Sequence, residues 1–172
     1  MRPRFLTTLC LTLVVAVAPA ASLAAGPRAG VTRRHSGGIK LFKSIGGVSL
    51  GMTPAQVRRV LGRPSAVNRF QGKVTSYSYF GAHEFAISFD SVRAADPADS
   101  ILLNQGSYRT PQGIHVGSTK RQLKRAYRNV SCQGSVCKIY EGAPLTPGTR
   151  DTEFIVATNG RVIGIAVEIM YE

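Results

Sequence analysis

Acidic side chains are scarce in this chain: 9 Asp and Glu stand against 22 Lys and Arg over 172 residues. The formal charge of +13 points away from cationic ligands and towards anionic polymers, head groups or acidic proteins, which feel such a charge at long range. Cysteine is also sparse. The 3 Cys form no C-x-x-C pair, and His35, His83 and His115 are scattered, so no zinc ligand set is present and no metal site is expected. There is no Gly-rich phosphate loop and no Cys/His pair placed for nucleophilic attack. After residue 25 no run approaches the roughly 20 apolar residues that a membrane-spanning helix needs. What is present, 44% hydrophobic and 18% charged residues, is enough to bury the core of one or at most two small domains.

The first 25 residues read as a cleavable signal peptide: Arg2 and Arg4 precede an apolar stretch from Phe5 to Val17, and small residues follow from Pro19 to Ala25. Cleavage after Ala24 or Ala25 is expected, with Ala20 a weaker position. Cys10 lies inside the apolar stretch, where a lipid anchor is not attached. The exported chain keeps 20 basic residues and a formal charge of +11. In an exported protein nucleic acid is not an expected partner, whereas envelope polymers and acidic proteins are. Export also leaves Cys132 and Cys137 as an even pair in a compartment where disulfides persist, and they are expected to be bonded.

Residues 26 to about 38 are rich in Gly, Arg and Ser without an apolar period, and 26–43 as a whole is read as a flexible basic leader. From 44 to 172 the expectation is one domain made of two repeats, about 44–108 and 109–172. The repeat is visible at a shift of 66 positions, where the segment Gly47 to Leu61 realigns with Gly113 to Tyr127. Each copy has a short alternating segment, a turn glycine (Gly51 or Gly117), and a threonine (Thr53 or Thr119) three residues ahead of a glutamine (Gln56 or Gln122), the spacing of a capping box. Val57, Val60 and Leu61 in one copy, and Leu123, Ala126 and Tyr127 in the other, then make a single apolar stripe at helical spacing. Such helices, about ten residues long, are too short to persist unless they pack on another element.

Strands supply that element. Val74 to Phe80, His83 to Asp90 and Ser100 to Tyr108 follow the first helix; Val136 to Tyr140, Glu153 to Thr158 and Arg161 to Met170 follow the second, with Asn159-Gly160 as a hairpin turn. The expected fold is α+β: two helix-plus-antiparallel-strands repeats forming one sheet of about six strands, with the two short helices packed on one face.

Several motifs have both a chemical and an ordinary reading. Gly47 to Gly51 matches the G-x-S-x-G nucleophile elbow, but His115 occupies the place of Ser49 in the second copy, so the match reads as a turn. Glu141, Asp151 and Glu153 can approach one another as paired carboxylates, though solvated acids at strand ends are the ordinary case. No catalytic residue and no cofactor is assigned. Arg58, Arg59 and Arg63, and Lys120, Arg121, Lys124, Arg125 and Arg128, form basic clusters that are either solvated helix faces or an anionic docking surface. Tyr77, Tyr79 and Tyr140 are candidate binding residues on the sheet face that the helices leave free, with Lys124, Arg125 and Arg128 steering an acidic partner.

The run from Gly51 to Pro64, with Gly51, Thr53, Gln56, Val57, Leu61, Gly62 and Pro64 matching, resembles the SmpA/OmlA-like lipoproteins of the outer-membrane assembly machinery. The tandem arrangement over residues 44–172 is similar to the β-lactamase inhibitor protein, whose two helix-plus-strands units form one sheet that grips a protein. The resemblance implies an exported, non-catalytic module of the secreted or envelope fraction that binds a protein. The competing expectation is a binder of anionic envelope polymers through the basic helix faces, and a small hydrolase is the third.

Overall fold

The computed structural model describes residues 38–93, 95–144 and 146–171. The expected signal peptide, residues 1–25, and residues 26–37 of the expected leader lie outside them. The chain first forms a three-stranded meander of β1 (Ile39–Lys40), β2 (Ser44–Ile45) and β3 (Val48–Ser49). Helix α1 (Pro54–Leu61) follows, then β4 (Ala66–Phe70), β5 (Lys73–Tyr79), β6 (Glu84–Phe89) and β7 (Ala98–Gln105). Helix α2 (Lys120–Ala126) leads into β8 (Ser131–Gln133), β9 (Val136–Glu141), β10 (Arg150–Val156) and β11 (Val162–Ile169).

The long strands make one antiparallel sheet of eight, ordered β4-β5-β6-β7-β11-β10-β9-β8. Two meanders thus meet at β7 and β11, the last strand of each. The α+β class is as expected, but the sheet has eight strands instead of about six. β4 and β8 escaped the sequence reading for physical reasons: Ala66–Phe70 is exposed at every position, so it carries no buried alternation, and β8 is three residues long. Residues 38–43, placed in the expected leader, belong to the described fold. Ile39 is 1% exposed, and its N–H donates to the Arg109 carbonyl at 2.9 Å, which draws residues 38–43 into the ordered fold.

Both helices begin with the same device. Thr53 and Thr119 each accept from the N–H three residues on, while Gln56 and Gln122 accept from the N–H of the capping threonine. The glycine turns ahead of them are tied alike: Gly51 N–H donates to Ala98 and Ala98 N–H to Met52, as Gly117 N–H donates to Val162 and Val162 N–H to Ser118.

Strand register decides which face is covered. Tyr77, Ile87, Ile101, Val167, Thr152 and Ile139 lie directly across from one another, as do Tyr79, Phe85, Leu103, Ile165, Phe154 and Cys137. Both rows are buried, in one core that also takes Val57 from α1, Leu123 from α2 and Ile45 and Val48 from the meander. The Tyr79 hydroxyl donates to Gly62 at the end of α1, Tyr127 beyond α2 packs on Phe154, and Phe42 N–H donates to Thr152 Oγ1 at 2.9 Å. Gly46 permits the meander's close approach: its φ is +61°, and a Cβ there would stand 2.8 Å from the Phe85 ring.

Candidate functional site

The opposite face of the sheet carries the alternate residues. Across its middle run Ser76, Ser88, Ser100, Glu168, Asp151 and Tyr140, and beside them Ser78, Ala86, Leu102, Ala166, Glu153 and Lys138. The β5–β7 part of this face is small and serine-rich; the β9–β11 part is charged.

Lys138 organises the charged part. Its Nζ lies 2.7 Å from Asp151 Oδ2, 2.9 Å from Glu153 Oε2 and 4.0 Å from Glu168 Oε2. Asp151 is fully buried, and the Ser100 hydroxyl donates to Glu168 Oε1 at 3.0 Å. Burial works to lower the Lys138 ammonium, but its hydrogen bonds to Asp151 and Glu153 hold it well above its ordinary value. Burial raises the Glu168 carboxyl; the Ser100 hydroxyl opposes the shift, and the charges of Asp151 and Glu153 add to it. The place that a bound cation would take among three carboxylates is occupied by the Lys138 ammonium, which offsets only part of the charge of Asp151, Glu153 and Glu168.

Beside it lies a groove of about 630 Å³ lined by Asn129, Ser131, Gln133, Val136, Lys138, Tyr140 and Pro144. Ser131, Gln133, Val136, Lys138 and Tyr140 share the uncovered face through the pairing of β8, β9 and β10. Cys132 and Cys137 stand opposite each other on the other side of the same hairpin and are joined by a disulfide, with Cα atoms 3.9 Å apart. The staple fixes the edge of the groove.

Of the three candidate tyrosines, only Tyr140 lies on this face. Tyr77 and Tyr79 are 2% and 8% exposed and belong to the helix-side core, where Tyr77 stacks edge-on against Phe89. Neither side chain reaches the uncovered face. Burial, together with the neighbouring Tyr77, pushes the Tyr79 hydroxyl up to about 12. Tyr77 and Tyr79 alternate with Ser76 and Ser78 along β5, and the pairing of β5 with β6 turns the tyrosines, expected on the free face, inward.

Lys124, Arg125 and Arg128 are exposed on and after α2, as Arg58, Arg59 and Arg63 are on and after α1. No acidic residue occurs from residue 38 to 83 or from 101 to 140, so both helices and their flanks present a surface of one sign. Glu141 departs from the carboxylate group suggested by the sequence. It projects to the other side of β9 and faces Arg150 at 3.9 Å, while Lys138 and Glu168, not anticipated, complete the cluster. Ser49 lies within β3 paired with Ser44, and its N–H donates to Met52 Sδ, so residues 47–51 do not form a strand-to-helix elbow.

The family model for the outer membrane protein assembly factor BamE domain matches residues 43–92, from just before β2 to just after β6. Among solved structures, a DUF4309 family protein (YjgB) from Bacillus subtilis is similar over 80% of this chain and 90% of its own, at 12% identity and a TM-score of 0.50. An extracellular protein containing a SCP domain from Bacillus anthracis aligns over 70% of this chain at 8% identity and a TM-score of 0.48, and this chain spans 44% of its length. No curated protein matches the sequence.

Proposed function

We propose that this chain is an exported, envelope-associated module that binds a protein partner without catalysis. The partner sits on the sheet face that the helices leave uncovered, at the groove beside Tyr140. The observation that carries the reading is the division of the sheet: one face is buried under both helices and the meander, while the other is held rigid by the Lys138 network and opens into a groove of about 630 Å³. Tyr140 offers an apolar ring with a polar tip, the residue type that supplies much of the affinity at such surfaces. The match of residues 43–92 to the assembly-factor domain supports an envelope role, and the resemblance of the tandem arrangement to the β-lactamase inhibitor protein supports an inhibitor-like use of the sheet.

A second reading has its own observation. The acid-free surfaces of α1 and α2, with Lys124, Arg125 and Arg128 exposed, suit an anionic envelope polymer. Pull-downs from the producing organism's envelope and culture fluid at low and high salt separate the two. The protein reading predicts a protein retained at high salt and lost with Tyr140→Ala; the polymer reading predicts a catch that disappears at high salt and ignores Tyr140.

A further inference from the structure

At the opposite end of the sheet, β4 is an outer strand with every residue exposed, Val67 and Phe70 among them at 41% and 63%. Its pairing with β5 sets Val67 across from Tyr77 and Arg69 across from Val74, so both side chains turn to the helix side of the sheet. There they line a cavity of about 550 Å³ with Arg58, Arg63, Ser65 and Tyr77.

Three guanidinium groups therefore border one cavity. None of the three forms an ion pair within 4.0 Å with a described residue, and Arg69 donates only a long 3.5 Å hydrogen bond to the Gly72 carbonyl. The helix C-terminus accounts for Arg58, because a cation in the last turn complements the helix dipole. It does not account for Arg63 or Arg69, which stand outside the helix. The first acidic residue of the whole chain is Glu84, so no counter-charge is supplied from this segment.

We propose that this arginine-bordered cavity and the β4 edge together form a docking site for an extended acidic segment of a partner protein, added as a ninth strand with a carboxylate in the cavity. An outer strand offers backbone donors and acceptors that only another backbone can satisfy in series. In an added strand alternate side chains fall on one face, which brings a carboxylate every second residue to the side where Arg58, Arg63 and Arg69 stand. Arginine pairs with a carboxylate through two parallel hydrogen bonds, so geometry and charge select the same ligand. A free anion or a lipid head group would satisfy the arginines but leave the strand edge unused. The other outer strand, β8, has only three residues and borders a face that already holds three carboxylates.

The test uses the exported protein, isotope-labelled, with an acetylated and amidated seven-residue peptide of alternating Val and Glu, and its Gln counterpart. The site predicts amide shifts at Ala66–Phe70 on adding the Glu peptide, affinity at least about tenfold lower for the Gln peptide, and a similar loss in Arg63→Gln/Arg69→Gln. Lys40→Gln, an exposed cation outside the cavity lining, serves as the control and leaves the affinity unchanged. Inorganic phosphate and vesicles containing an anionic phospholipid are added separately. Shifts at Arg63 and Arg69 from either, with none at β4 from the peptide, would make this an anion or lipid site and overturn the proposal. Equal binding of the Gln peptide would overturn it as well.

Discussion

Lys138 Nζ stands 2.7 Å from Oδ2 of Asp151, a carboxylate with no exposed surface, on the sheet face that no helix covers. A buried acid on an otherwise open face is tolerated because the ammonium is held in place by Glu153 as well, and because β9 and β10 pair so that all three side chains emerge on one side.

Removing that ammonium leaves a buried charge without a partner. Lys138→Met is expected to destabilise the fold by about 3–5 kcal/mol, measured by urea unfolding at neutral pH. Adding Asp151→Asn recovers part of the loss. Finding the single change neutral would mean that Asp151 is hydrated.

Glu168 gives a pH dependence of definite sign. Its folded-state carboxyl is raised by burial, so folding takes up protons near its titration: stability relative to Glu168→Gln is fully present below the unfolded value of about 4.3 and is lost as pH rises through the folded value. The Tm of Glu168→Gln minus that of the unaltered protein should grow as pH rises from about 4 through the folded value. A constant difference would contradict the assigned environment.

The two capping threonines should behave alike. Thr53→Ala and Thr119→Ala each remove one side-chain acceptor and are expected to cost about 1 kcal/mol by chemical denaturation. One neutral and one severe result would separate the two helices in structural role.

The Cys132–Cys137 bond closes a short hairpin, and the chain-entropy estimate for so small a loop is roughly 2 kcal/mol. Intact mass of the protein from residue 26 onward, recovered under non-reducing conditions, should show no free thiol, and Cys132→Ser/Cys137→Ser should lower the denaturation midpoint accordingly. Two thiols that react without denaturant would contradict the pairing.

The features readable in the sequence were those written locally. Thr53 with Gln56 and Thr119 with Gln122 state the helix starts in four residues, and Asn159-Gly160 states a hairpin turn; the structure has all three. Strand β4 could not be read the same way, since Ala66–Phe70 buries nothing and has no pattern to detect. The facing of Tyr77 and Tyr79 was out of reach because both alternations of β5 are chemically plausible, and only its register against β6 chooses between them. The Lys138 cluster joins β9, β10 and β11 across the sheet, and its one local trace is a charged residue inside otherwise apolar strands.

On the proposed reading the uncovered face holds the partner while Lys124, Arg125 and Arg128 of the α2 region only guide it. Once a partner is captured, association and dissociation rates are measured across a salt series for Tyr140→Ala and for Lys124→Gln/Arg125→Gln/Arg128→Gln. Tyr140→Ala is expected to raise the dissociation rate, by an amount worth about 2 kcal/mol if the ring lies at the centre of the contact, and the helix changes to lower mainly the salt-sensitive association rate. If the helix changes abolish binding at every salt concentration and Tyr140→Ala leaves both rates unaltered, the uncovered face is not the binding surface.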